Sequence, residues 1–150
     1  MKRRYLKVIF ICTLVCMIAA VCLGAAANPD VRMVENLLQT RTDIMQNVLY
    51  GSIPYEKGRQ QLQQVEADTL LRKDLEALVK WRYTDLEPVL KMELISLKKE
   101  SHIHDLTQYS AKIRWVYQQH TGQSHQIDEY SIGVMDCRGV PKLITLEIRK

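Results

Sequence analysis

Hydrophobic positions along this chain fall into three regimes: an unbroken apolar run over residues 8–27, recurrences at helical spacing up to about residue 83, and alternation with turns after Pro88. In the helical regime, a first helix is expected to start at Pro29 or Asp30, with Asn28 or Asp30 as its cap. Its stripe is Val34, Leu37, Leu38, Ile44, Met45, Val48 and Leu49. Tyr50-Gly51-Ser52 ends it, Gly51 being suited to the left-handed residue after a helix. A second helix opens at Pro54 and carries Tyr55, Leu62 and Val65. That stripe, continued at 3.6 residues per turn, would pass through Thr69 and Lys73, but the apolar residues are Leu71, Leu75 and Leu78. The phase shift predicts a break near Asp68-Thr69, with Asp68 capping a third helix that ends around Tyr83.

Four strands are expected to follow. Residues 89–98 are apolar on parts of both faces, which suits a central or doubly covered strand. Residues 106–119 alternate most cleanly: Tyr109, Ala111, Ile113, Trp115 and Tyr117 point one way, and Ser110, Lys112 and Arg114 the other. Tyr130, Ile132 and Val134 mark a third strand, and Ile144, Leu146 and Ile148 a fourth. His120-Thr121-Gly122-Gln123 and Cys137-Arg138-Gly139 read as hairpin tips. Helices first and a four-strand meander second give an α+β domain, with two or three helices packed on one face of a curved antiparallel sheet.

The first regime is an address. Lys2, Arg3, Arg4 and Lys7 precede 20 uncharged residues that end in Ala25-Ala26-Ala27, the basic, hydrophobic and small-residue parts of an export signal. Two readings stay open. The Ala25-x-Ala27 pattern favours cleavage before Asn28, whereas a length near the ~20 residues that cross a bilayer favours retention as an anchor helix. Either way, residues 28–150 are expected to form one extracytoplasmic domain, secreted or held at the cell membrane through residues 8–27.

Charge and cysteines follow the same boundary. Of 21 basic residues four lie before Asn28 and none of the 17 acidic ones does, which leaves 17 against 17 in the domain. The overall positive charge therefore belongs to the export segment and gives no support for a nucleic-acid partner. Cys12, Cys16 and Cys22 lie in the apolar run, so Cys137 has no partner for an internal disulfide. Its setting, Asp136-Cys137-Arg138-Gly139, is first a turn.

Candidate chemistry is sparse, and no catalytic motif, cofactor motif or phosphate-binding loop is present. His102, His104, His120 and His125 are the only metal-like set, but 16 residues of strand between His104 and His120 would separate the two pairs by roughly 50 Å. No metal is expected. Tyr109, Trp115, Tyr117 and Tyr130 are the candidate cavity-lining residues, since sheet-facing aromatics with polar tips line pockets as well as cores. Asp128 and Glu129 beside them offer a general base, only one of which can face such a cavity because neighbours on a strand point opposite ways. The polar face, with Lys112, Arg114, Gln118 and Gln119 around Val116, reads as a solvated face or an interaction surface. A sheet edge at residues 89–97 or 143–148 would allow strand addition.

Tyr109-Ser110-Ala111-Lys112-Ile113-Arg114-Trp115, then Glu129-Tyr130-Ser131-Ile132-Gly133-Val134, a turn and Pro141-Lys142-Leu143-Ile144 resemble the strands that close nuclear-transport-factor-2-like or cystatin-like domains. The resemblance covers residues 30–150 by layout and is most specific in about the last 45. It carries no signature motif, so no site residue is transferred. It implies a helix-on-sheet fold shared by non-enzymatic assembly proteins and by cavity enzymes such as steroid isomerases. Small singly anchored members occur in bacterial conjugative and type IV secretion machinery. The expected function is accordingly a non-enzymatic interaction or scaffold domain with a protein partner, the alternative being a small-molecule-binding or isomerase-like cavity protein.

Overall fold

The computed structural model describes residues 28–82, 84 and 86–149, so the export segment with Lys2, Arg3, Arg4, Lys7, Ala25 and Ala27 lies outside the described residues. Helix α1 spans Pro29–Leu49. Asn28 caps it, its Oδ1 accepting from the Asp30 amide at 3.0 Å, and Pro29 supplies a first-turn residue that has no N–H to satisfy. Its buried stripe is Val34, Leu37, Leu38, Thr42, Ile44 and Val48. Thr42 is tolerated there because its hydroxyl donates to the Leu38 carbonyl at 2.8 Å. Gly51, at φ 73°, turns the chain out of the helix.

Helix α2, Tyr55–Val65, buries only Gly58 and Leu62. Gly58 lets it lie close on α1, since a Cβ there would fall 2.1 Å from Val48 Cγ2. Val48 is β-branched and held in one helical rotamer, so it cannot swing aside. Gly58→Ala is therefore expected to lower stability, the ~1–3 kcal/mol cost of overpacking outweighing the ~1 kcal/mol that alanine adds in helix propensity. A lower urea midpoint with an unchanged m-value is the expected readout, and an unchanged or raised midpoint would refute the close approach.

Helix α3 runs Asp68–Trp81 and buries Leu70, Asp74 and Leu78. The break before it falls slightly earlier than the stripe predicts, and Asp68 does not act as the cap. Ala67 occupies the cap position, and Asp68 is the first helical residue, with φ 52°. The reason is tertiary: Glu66 is extended and bridges in parallel to Leu143, while the Ala67 amide donates to the Leu143 carbonyl at 2.9 Å. The junction between α2 and α3 is thus drawn out as a short strand.

The sheet is a meander of β1 (Val89–Ile103), β2 (Leu106–Gln119), β3 (Gly122–Asp136) and β4 (Pro141–Ile148), antiparallel throughout and in sequence order. β1 is therefore an edge strand, not the central or doubly covered one that its composition implies. Bulges between Val89 and Lys91, Leu94 and Ser96, and Lys99 and Ser101 explain the misleading pattern, because each extra residue resets which face the following side chains occupy. With Lys91, Lys98 and Lys99, these bulges also make β1 a poor template for strand addition. The opposite edge, β4, is partly covered by Glu66 and Ala67.

His120-Thr121 forms the β2–β3 tip, closed by the Gln119 and Gly122 pair. At the β3–β4 tip, Arg138 (φ 61°) and Gly139 (φ 84°) form a two-residue turn whose positive φ values match the strand twist. A bulge at Gly133 and Val134 shifts β4, so that Leu143, fully buried, rather than Ile144 fills the core beside Val134.

Tyr109, Ala111, Ile113 and Trp115 of β2, with Ile132 and Val134 of β3, pack against Val34, Leu37 and Leu38 of α1 and Leu70 of α3. A second cluster of Ile44, Val48, Leu62 and Leu78 joins the three helices. The outer sheet face carries the ion pairs Lys91–Glu93, Arg114–Glu93, Lys112–Glu129 and Arg149–Glu100. These exposed charges are matched among themselves, which makes that face a solvated one.

Candidate functional site

Helix α1 seals the sheet only in part. A cleft of about 910 Å³ opens between the second half of α1, the segment before β1 and the inner face of β2 and β3. Arg41, Met45 and Leu49 recur every four residues and so present one face of α1 to it, with Thr42 and Gln46 alongside. Gln46 fixes the wall by a two-way bond to Val89, its Nε2 donating to the carbonyl at 3.1 Å and its Oε1 accepting from the amide at 2.8 Å. Leu86 and Glu87 form the near rim, Ser124, His125 and Gln126 line the β3 side, and Leu146 reaches in from β4.

Trp115, Tyr117 and Tyr130 all line this cleft. Trp115 and Tyr130 meet edge to face, with centroids 6.4 Å apart and planes at 71°, and the Trp115 indole N–H donates to the Tyr130 hydroxyl at 3.0 Å. Burial pushes the Tyr130 hydroxyl up from its ordinary value, against that bond, which favours ionisation. Tyr117 is pushed up as well, first by burial and then by the carboxylates of Asp128 and Glu87.

Tyr109 is not part of the lining. It shares the inner face but lies further along β2, opposite Ile132, only 2 % exposed in the core under α1. Burial and the nearby Asp30 carboxylate push its hydroxyl up to about 12. Asp128 and Glu129 divide as strand parity requires. Asp128 pairs with Ile113 on the inner face and accepts from Gln126 Nε2 at 2.8 Å, whereas Glu129 pairs with Lys112 on the outer face.

The histidines are separated along the sheet. His102 bonds Thr107 Oγ1 at 2.8 Å, and His104, at φ 53°, lies in the β1–β2 tip. His120 is in the β2–β3 tip, and His125 pairs with Val116 near that end of β2. Among the described residues no three His, Cys, Asp or Glu side chains are placed to hold one metal ion, and Cys137 is a free, half-buried thiol at the β3–β4 tip.

One polar constellation has no counterpart in the sequence reading. Behind the cleft wall, Arg41 Nε and Nη2 both lie 2.6 Å from Asp74 Oδ2, and Nε is 2.8 Å from Glu66 Oε1. The Nε–H points at Asp74, so neither Glu66 oxygen accepts a hydrogen bond. Glu66 is 1 % exposed and Asp74 5 %. Burial first, and then the Asp74 carboxylate beside it, push the Glu66 carboxyl up to about 9 despite Arg41. The upward push on Glu66 favours a proton held within the trio, beside the Arg41–Asp74 contact. The signal for it is a charged residue inside an apolar stripe: Asp74 stands between Leu70 and Leu78, and Glu66 follows Leu62 by four.

Three helices on an open four-stranded antiparallel sheet make this an α+β domain, and among the described residues no helix is long and apolar enough to cross a membrane. No family model and no curated protein matches the chain. Among solved structures it is similar to the intermembrane space region of the chloroplast protein ARC6, at 13 % identity and a TM-score of 0.48, over 81 % of this chain and 97 % of that one.

Proposed function

We propose that this chain is a non-enzymatic interaction domain of nuclear-transport-factor-2-like or cystatin-like layout, carried to the extracytoplasmic face by residues 1–27. Its cleft takes a segment of a protein partner, as one component of a secretion- or conjugation-type assembly. The observation that carries this reading is the cleft itself: about 910 Å³, walled by Met45, Leu49, Leu86 and Trp115, and floored by strands held in a rigid sheet. The outer sheet face and the β1 edge fit a partner less well, since the first is covered by matched ion pairs and the second is broken by bulges.

A small-molecule or isomerase-like cavity is the second reading, favoured by Asp128 standing on the inner face near Tyr117 and Tyr130. It ranks lower because Asp128 is only half-buried and bonded to an exposed Gln126, which leaves water beside the group that would act as base.

A photo-crosslinking residue placed at Gln126 on the cleft rim, compared with one at Ser110 on the outer face, tests the proposal in the native cell. A discrete protein adduct from position 126 and none from 110 is expected. Adducts from 110 alone, or equally from both, would overturn it.

A further inference from the structure

The cleft is not electrically neutral, and its imbalance bears on what it accepts. Among the described residues Glu87 in the rim bonds only the Gln119 amide, at 3.4 Å, and Asp128 only the Gln126 amide. Neither forms an ion pair among the described residues, unlike Glu93, Glu100 and Glu129 on the outer sheet face. Arg41, the one arginine or lysine in the lining, is already matched by Asp74. Glu87 is thus an unmatched carboxylate in the rim, and Asp128, not itself in the lining, stands on the inner face of β3 between the lining residues Gln126 and Tyr130; both act on the Tyr117 hydroxyl.

Aromatic rings stand where such a charge imbalance would draw a cation. The near-perpendicular Trp115 and Tyr130 rings and the Tyr117 ring wall one part of the cleft. An organic cation is attracted to ring faces electrostatically, by ~0.5–1 kcal/mol in water and ~2 kcal/mol when desolvated. Met45, Leu49 and Leu86 supply the apolar wall that the methylene stem of a long basic side chain needs. A carboxylate at the same place would face Glu87, and the one arginine or lysine of the described lining, Arg41, is already matched by Asp74.

Resting on the proposal that the cleft takes a partner segment, we infer that this segment is basic, its lysine or arginine head seated against Trp115, Tyr117 and Tyr130 between the carboxylates of Asp128 and Glu87. The full chain carrying Trp81→Phe isolates Trp115 as the fluorescent reporter, because the chain has two tryptophans. Short acetylated and amidated peptides, identical except for a central lysine, norleucine or glutamate between leucines, are titrated against it. The lysine peptide is expected to bind about tenfold more tightly than the norleucine one, a difference of ~1.4 kcal/mol, and the glutamate peptide most weakly. Asp128→Asn with Glu87→Gln, both away from the core, should abolish the lysine preference, and added salt should reduce it. Equal binding of lysine and norleucine peptides, or tighter binding of glutamate, would overturn the charge inference while leaving the cleft as a peptide site. No change in Trp115 emission with any peptide at millimolar concentration would overturn both.

Discussion

Arg41→Met is expected to destabilise the domain by ~3–5 kcal/mol, the range found when one partner of a buried ion pair is removed and the other charge stays behind. Methionine replaces much of the aliphatic stem, so the loss measures charge rather than packing. What remains is Asp74, 5 % exposed, next to Glu66, 1 % exposed, with no cation against either. The consequence spreads because Arg41 ties α1 to α3 through Asp74 and to the α2–α3 junction through Glu66, which itself bridges to β4. Arg41→Lys should recover only part of the loss, since a single ammonium cannot reproduce the two guanidinium nitrogens that converge on Asp74 Oδ2. Urea unfolding at neutral pH reads both variants. A loss below ~1 kcal/mol for Arg41→Met would place the trio among exposed pairs and refute the buried arrangement.

The parts of this fold legible in the sequence are those where one local rule decides the outcome. β2 could be read residue by residue because its inner face is covered along most of its length, so Tyr109, Ala111, Ile113 and Trp115 had to alternate with Ser110, Lys112 and Arg114. The α1 stripe and the Gly51 turn were legible for the same reason. β1 was misread because three bulges break the period-two rule, and a broken alternation in an edge strand looks like burial on both faces. In the site, strand parity puts Trp115, Tyr117 and Tyr130 on one face, and all three border the cleft. Parity alone cannot say where along that face a helix ends, which is why Tyr109 and Trp115 are both core residues but only Trp115 also borders the cleft. The Arg41–Glu66–Asp74 trio was the least legible feature. Its members come from three elements 25 residues or more apart in the case of Arg41 and its partners, and their meeting depends on how α1 and α3 pack. Asp74 inside the Leu70 and Leu78 stripe was the one local hint, for an acid at such a position needs a cation from elsewhere or must hold its proton.

The same trio dictates a pH dependence opposite to that of ordinary surface carboxylates. Glu66 has a carboxyl pushed up to about 9 in the fold, against about 4.5 in the unfolded chain. Between those values the folded state holds a proton that the unfolded state has released, so stability must fall as pH rises. The contribution of Glu66 is fully present below about pH 4.5 and is lost as pH climbs through about 9. Glu93 and Glu100, held below the usual carboxylate range by hydrogen bonds from Lys91 and Arg114 and from Arg149, act in the opposite sense and only in acid, so they do not mask the window from pH 5 to 9. Glu66→Gln separates the effect from every other titration. Glutamine keeps the shape and a donor toward Asp74 but has no proton to lose, so it should be close to neutral in stability near pH 5 and progressively more stable than the native chain toward pH 9. The stability difference between the two should grow by up to ~1.4 kcal/mol per pH unit, the slope for one proton. Urea unfolding across that range reads the difference directly, and one that stays flat would show that Glu66 is ionised in the fold and that Arg41 balances two charges, not one.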